Sequence, residues 1–344
     1  MTPNKAAWIK AIHQPLTVDS APYPTPGPGE LVVKNAFVAV NPVDWKIQES
    51  GGFLTEYPWI LGTDVAGEVV EVGARVTRFK KGDRVISYAL SLIKPPSYGG
   101  FQLYTLALEL VTAPIPKDIK YENAVVLPLA LSTAAAGLYQ SDLLHLPYPS
   151  LSTGTDAGKG KGKSNGTLIV CGASSSVGSA VVQLATASGL DVVATASPRH
   201  FAYAKDLGAK AVLDYHSADL TEKVVEAVKA TGTRFVGLYD AVGRGGWEGI
   251  MGRLKGKAAT VLNPPRKLPV GVTASGLFAA NIATKYQDVA NAVWRDFVPQ
   301  ALQSGQLKPK LDPIIIEGGL EKVQAGLDRQ KQGVSAAKVV IPVA

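Results

Sequence analysis

Cysteine is almost missing from this chain of 344 residues: Cys171 stands alone, which excludes an intrachain disulfide. Histidine is scarce too. His13, His145, His200 and His216 are isolated, lack ligand spacing, and read as surface or packing residues. No apolar run is long enough to cross a bilayer, which takes about 20 residues; the longest, Ala124 to Tyr139, is broken by Pro128, Ser132 and Thr133. No membrane span is therefore expected. Blocks of like charge are absent, and aromatics are not interleaved with the basic residues. The formal charge of +7 thus describes a generally basic surface that favours anionic ligands, with no nucleic-acid partner. Met1 to Gln14 lacks the basic start, apolar middle and small-residue cleavage site of a secretory signal, so a reducing, soluble compartment such as the cytoplasm is expected.

What is present is a globular composition, 46% hydrophobic and 18% charged, in a chain long enough for two domains. The first part reads as short strands separated by turns: Ala6 to Ile12, Glu30 to Ala39, Val65 to Val72 and Asp83 to Tyr88. From about Ala124 the texture becomes a helical apolar pattern, followed by buried strands alternating with amphipathic helices. Strands are expected at Thr167 to Val170, Asp191 to Ala196, Ala211 to Asp214 and Phe235 to Asp240. The helices fall at Val177 to Ser188, Arg199 to Leu207 and Leu220 to Thr231. That alternation predicts an α/β fold with a doubly wound parallel sheet beside a β-barrel-like lobe. Domains are expected at residues 1–123 and 124–307, with a tail, 308–344, whose strands Ile314 to Ile316 and Lys338 to Pro342 return to the first lobe. Ser150 to Gly166 reads as a mobile surface loop, and its Lys159, Lys161 and Lys163 as solvated.

The most informative stretch runs from Thr167 to Gly178. A buried strand meets the turn Gly172, Ala173, Ser174, Ser175, Ser176, Val177 and then a helix, the arrangement in which a dinucleotide's diphosphate rests on unpaired amides and the positive end of the helix dipole. Gly172 permits the tight turn and Gly178 close packing of helix on strand. Ser175 replaces the usual central glycine, with a hydroxyl that can also bond phosphate. A glycine-rich corner with no ligand is the plain alternative, but the flanking strands favour dinucleotide binding. After the second strand, where NAD would need a carboxylate, the chain has Ser197, Pro198, Arg199 and His200. Ser197 and Arg199 suit a 2′-phosphate, and Tyr215 stands ready to cover the adenine or touch that phosphate, so NADPH is the expected cofactor.

The chain resembles the zinc-independent medium-chain dehydrogenases/reductases over essentially its whole length: a GroES-like lobe, an inserted Rossmann domain and a returning tail. Val40 to Lys46 and Leu61 to Val70 are similar to quinone oxidoreductases and enoyl reductases. The Ser-rich turn, Ser197-Pro198 and Asp214-Tyr215 look like fungal trans-acting enoyl reductases of polyketide, and so secondary, metabolism. Zinc members place cysteine and histidine where Asn41 and Thr63 stand, and neither substitute can replace a thiolate or imidazole; the four-cysteine structural zinc lobe cannot form. Metal-free chemistry is implied. The resemblance further implies that Pro42, Val43 and Lys46 lie along the nicotinamide, and that Ala130 to Gly137, with Ser132 and Thr133, begins a helix beside nicotinamide and substrate. It puts Gly243, Leu262 and Asn263 at the ring, Ser275, Leu277 and Phe278 at the substrate, and Lys338 near the cofactor.

The implied reaction adds hydride to the β-carbon of an enone, quinone or enoyl thioester and leaves negative charge on the carbonyl oxygen. Lys46 is the first candidate to stabilise that oxygen and relay a proton, or else it binds a cofactor phosphate or ribose. Ser132 and Thr133 are alternative donors, and Asp44 orients Lys46 or the backbone. Tyr57 and Tyr98 either line the pocket or merely pack. An acyl carrier domain is the macromolecular partner such a substrate suggests, for a monomer or homodimer. A free quinone or enone reductase, and a non-catalytic NADPH-binding protein, are the rival readings.

Overall fold

A computed structural model describes residues 3–151 and 164–343. The chain opens with the antiparallel pair β1 (Asn4–Ile9) and β2 (Thr17–Ala21). The first strand ends earlier than Ile12 because the chain turns at His13, whose φ is 63°. Next comes β3 (Glu30–Ala39), over the residues expected, then α1 (Pro42–Ser50), which the sequence pattern did not reveal. Pro42 opens that helix, where its missing N–H is no loss, and Gly51 closes it at φ 68°. The strands β4 (Trp59–Ile60), β5 (Asp64–Val72), β6 (Arg84–Tyr88), β7 (Tyr104–Leu108) and β8 (Thr112–Pro114) and the short α2 (Tyr121–Ala124) follow.

After α3 (Pro128–Tyr139) the rhythm becomes β9 (Thr167–Cys171), α4 (Ser176–Ala187), β10 (Asp191–Ala196), α5 (Phe201–Asp206), β11 (Ala211–Asp214), α6 (Leu220–Ala230) and β12 (Phe235–Asp240). It continues through α7 (Glu248–Leu254), β13 (Gly256–Thr260), β14 (Val272–Gly276), α8 (Gln287–Ala290) and α9 (Val298–Ser304). The tail supplies β15 (Asp312–Ile315), α10 (Val323–Lys331) and β16 (Ala337–Pro342). Most of the loop read at Ser150 to Gly166, with Lys159, Lys161 and Lys163, lies outside the described residues.

Two compact units result: Met1–Leu129 with Pro309–Ala344, and Ala130–Lys308. The division falls past residue 123 because α2 packs on β3, β5 and β15 of the first unit. That unit has a sheet ordered β15-β16-β3-β5-β6-β8, with β7 also on β3, and a smaller sheet β2-β1-β4. Its main core gathers Ile9, Val38, Ile47, Leu61, Phe101 and Ile341. The second unit holds one sheet, β11-β10-β9-β12-β13-β14, parallel throughout. The order reverses between β9 and β12, and a doubly wound sheet binds ligands at the carboxyl ends of the strands at such a point.

Candidate functional site

The turn after β9 stands at that reversal. Gly172 has φ 82°, and a Cβ there would meet Val242 Cγ2 at 2.2 Å. A Cβ on Gly178 would come within 2.1 Å of the Gly172 carbonyl oxygen, so helix α4 and the turn approach at a distance only glycine allows. Ser175 is the N-cap of α4: its Oγ accepts the Gly178 N–H at 2.9 Å and donates to the Ala241 carbonyl at 3.3 Å. Its hydroxyl is therefore engaged within the fold, where it caps α4. The amides of Ser176 and Val177, in the first helical turn, have no partner inside the helix. Ser176 Oγ is buried and makes no hydrogen bond among the described residues. Ser174 and Val177 are half-buried beside it. Small residues, open amides and one unpartnered hydroxyl fit the diphosphate of a dinucleotide.

Sequence reasoning missed two supports of this turn. Ser179 Oγ bonds the carbonyls of Ala173 and Ser175 at 3.1 and 2.8 Å and pairs with Tyr203 OH at 2.8 Å. Asp240, 2% exposed, accepts N–H groups of Val242, Gly243 and Gly245 on its two oxygens, together with Trp247 Nε1 at 2.9 Å. It thereby shapes the loop carrying Gly243, whose φ of 71° and missing Cβ leave space for Leu262. Cys171 ends β9, and burial, reinforced by Asp240, pushes its thiol far above the ordinary range, so it stays a neutral thiol.

At the end of β10 no carboxylate appears. Ser197 Oγ lies 3.1 Å from Tyr215 OH, and the Tyr215 ring leans on His216 at 4.1 Å between centroids. Arg199 and His200 sit in a 3-10 turn, Pro198–His200, ahead of α5. Burial first, and Arg199 second, lower the His200 pKa. Asn263 and Ser275 are exposed, while Leu277 and Phe278 are half-buried past the end of β14, an edge strand of the sheet.

Helix α3 is packed into the fold. Ser132 is fully buried and its Oγ accepts Trp294 Nε1 at 3.2 Å; Ala130 is 2% exposed; a Cβ on Gly137 would strike the Tyr239 ring at 2.3 Å. Ser132 and Gly137 thus meet Trp294 and Tyr239 of their own unit. Thr133, 7% exposed, accepts the Tyr239 hydroxyl on its backbone carbonyl at 2.7 Å.

In the first unit Lys46 is exposed on α1, its Nζ 5.6 Å from the Trp45 ring centroid. Pro42 is exposed and Val43 half-buried ahead of it, while Tyr57 is half-buried and Tyr98 is held inside by donating to Glu30. Beneath the start of α1 lies a sealed polar cluster. Asn41 Nδ2 donates to Asp64 Oδ2 at 2.7 Å and to Thr63 Oγ1 at 3.0 Å. Asp44 accepts the Asn41 N–H at 2.7 Å and the Gly62 N–H at 3.3 Å. Burial pushes the Asp44 carboxyl up to about 7, Asp64 adding to the shift while the two amides and Lys338 oppose it. Lys338, expected near the cofactor, instead turns inward: it is 4% exposed, its Nζ is 2.8 Å from Asp64 Oδ2, and it donates to Asn41 Oδ1. Asn41 and Thr63 bond each other as amide and hydroxyl, and among the described residues no group of three or more His, Cys, Asp or Glu gathers as a metal site.

Known proteins share this plan. Residues 27–117 match the alcohol dehydrogenase GroES-like domain and residues 176–262 the zinc-binding dehydrogenase model. The trans-enoyl reductase himH of Aspergillus japonicus is 43% identical over 347 residues, covering 99% of this chain and 97% of the relative. The structure of the enoyl reductase CurK aligns with TM-score 0.74 at 19% identity over 100% of both chains. A mycobacterial protein solved in complex with NADPH aligns at TM-score 0.71 and 23% identity, over 98% of this chain and 99% of that one.

Proposed function

We propose that this chain, which belongs to the medium-chain dehydrogenase/reductase family alongside fungal trans-enoyl reductases, reduces the double bond of an enoyl thioester in polyketide biosynthesis with NADPH. The observation that carries the cofactor half is the pair of Ser197 and Tyr215 hydroxyls at 3.1 Å where an NAD-binding strand would present a carboxylate. The full-length likeness to a trans-enoyl reductase supports the substrate half.

Bound NADPH supplies the hydride for the β-carbon. The chain's own part is to hold and polarise. The amides of Ser176 and Val177 and the Ser176 hydroxyl take the diphosphate, and Ser197, Tyr215 and Arg199 take the 2′-phosphate. Lys46, an exposed cation, stabilises the enolate oxygen as charge develops and returns a proton toward the α-carbon. The formal charge of +7 favours an acidic acyl carrier as the bearer of the thioester.

Single-turnover oxidation of NADPH deuterated at C4, with an enoyl thioester, a free enone and a quinone offered separately, tests the reading. Deuterium should appear at the β-carbon of the thioester product. Preference for the quinone would move the chain to the free-substrate reductases, and tight NADPH binding without reduction of any acceptor would make it a binding protein. Replacing Ser197 by Asp should weaken NADPH relative to NADH by about tenfold or more, read by calorimetry, as one charge-assisted contact becomes a repulsion.

A further inference from the structure

The cluster beneath α1 has a buried cation, and no step of the reaction proposed above uses it. Four elements converge on Asp64. It begins β5 and is fully buried, its Oδ2 takes Lys338 from β16 and the Asn41 amide from the start of α1, and its Oδ1 takes the Leu129 N–H, in the first turn of α3, at 2.6 Å. Asn41 occupies the N-cap of α1, and its side-chain amide reaches Lys338, Asp64 and Thr63. The other ion pairs among the described residues all reach solvent. The Asp64 carboxylate is thus buried against a single ammonium. Removing that ammonium strands the charge of Asp64, which costs far more than an intact pair contributes.

We propose that Lys338 is a positioning residue, the built-in cation of the first lobe, which through Asp64 and Asn41 fixes the first turn of α1 and so the place from which Lys46 acts. This rests on the reading that Lys46 serves the developing enolate. A misplacement of about 1 Å at a reacting group can lower a rate by up to about a hundredfold, so the anchor should register in the chemical step.

The full-length protein is compared with Lys338→Met, Lys338→Arg, Asp64→Asn and the Lys338→Met/Asp64→Asn double variant. Thermal midpoint, NADPH dissociation constant and single-turnover rate on an enoyl thioester are measured for each. Lys338→Met should lower the midpoint and slow the single turnover by about tenfold or more, with NADPH affinity unchanged. Lys338→Arg should recover most of the rate, and the double variant should lose less stability than the sum of the single losses. The ion-pair assignment is overturned by strict additivity. A positioning role is overturned if the rate survives while stability falls, or if NADPH affinity drops as far as the rate and arginine does not restore it. Should Lys338→Met fail to fold, Asp64→Asn and Lys338→Arg carry the same comparison. A wild-type protein that binds NADPH and reduces no thioester sinks the functional reading and the role for Lys46, while the stability cycle still decides the ion pair.

Discussion

In the turn from Gly172 to Gly178 the backbone leaves amides open and lets side chains retreat, whereas in the cluster of Asn41, Asp44, Thr63, Asp64 and Lys338 the side chains do the bonding and close on one another. The first is prepared for a ligand that brings negative charge. The second has its own counter-charge and presents no vacant donor set to a metal ion. One lobe thus works by backbone geometry and the other by charge pairing. The two should fail differently: the turn to added volume, the cluster to lost or added charge.

Gly178→Val breaks the first side of that contrast hardest. The new Cβ would sit 2.1 Å from the Gly172 carbonyl oxygen, backbone against backbone, so the turn must open. A loss of about 3 kcal/mol in urea unfolding is expected, with no measurable stabilisation by NADPH remaining. Unchanged affinity in this variant would mean that the diphosphate is held elsewhere.

Asp44→Asn probes the other side through pH. The carboxyl titrates near 7 in the folded chain against an ordinary 3.8, so over that interval the unfolded chain releases a proton that the folded chain keeps. The contribution of Asp44 to stability is therefore whole below about pH 4, declines as pH rises to about 7, and is flat above. The asparagine keeps an acceptor for the Asn41 N–H and has no such proton. Its stability relative to wild type should climb between pH 4 and 7, by roughly 1 kcal/mol or more, and then level off. A difference that does not vary with pH would show that Asp44 is ionised throughout.

The same contrast explains what could be read from sequence. The turn is contiguous, and its glycines announce a backbone need within seven residues, so strand, turn and helix were legible; β3, β10, β11 and β12 fall on the residues expected. The cluster is assembled from Asn41 to Lys338, nearly the whole chain apart, by strands that antiparallel pairing of β16 with β3 brings side by side. No local period marks it. The partner of Ser132 is illegible for the same reason, because the Trp294 that donates to it lies 162 positions away. Arg199 to Leu207 reads as one helix, whereas a 3-10 turn, Pro198–His200, precedes α5.

Ser175 is where the two modes meet, and it gives the smallest and sharpest effect. It is the one side chain in the turn whose hydroxyl caps α4, through the Gly178 N–H at 2.9 Å. Loss of such a cap to alanine costs about 1 kcal/mol, while glycine costs only a few tenths because water then reaches the freed amide. If the diphosphate is held by backbone, Ser175→Ala should lower the unfolding free energy by that amount and leave NADPH affinity within about threefold. Ser175→Gly, which restores a central glycine, should be nearly silent in both. If the hydroxyl were instead a phosphate ligand, both variants would lose affinity alike, by about tenfold, since each lacks it equally. The ratio of the two affinities, taken with the ratio of the two stabilities, therefore separates a cap from a contact.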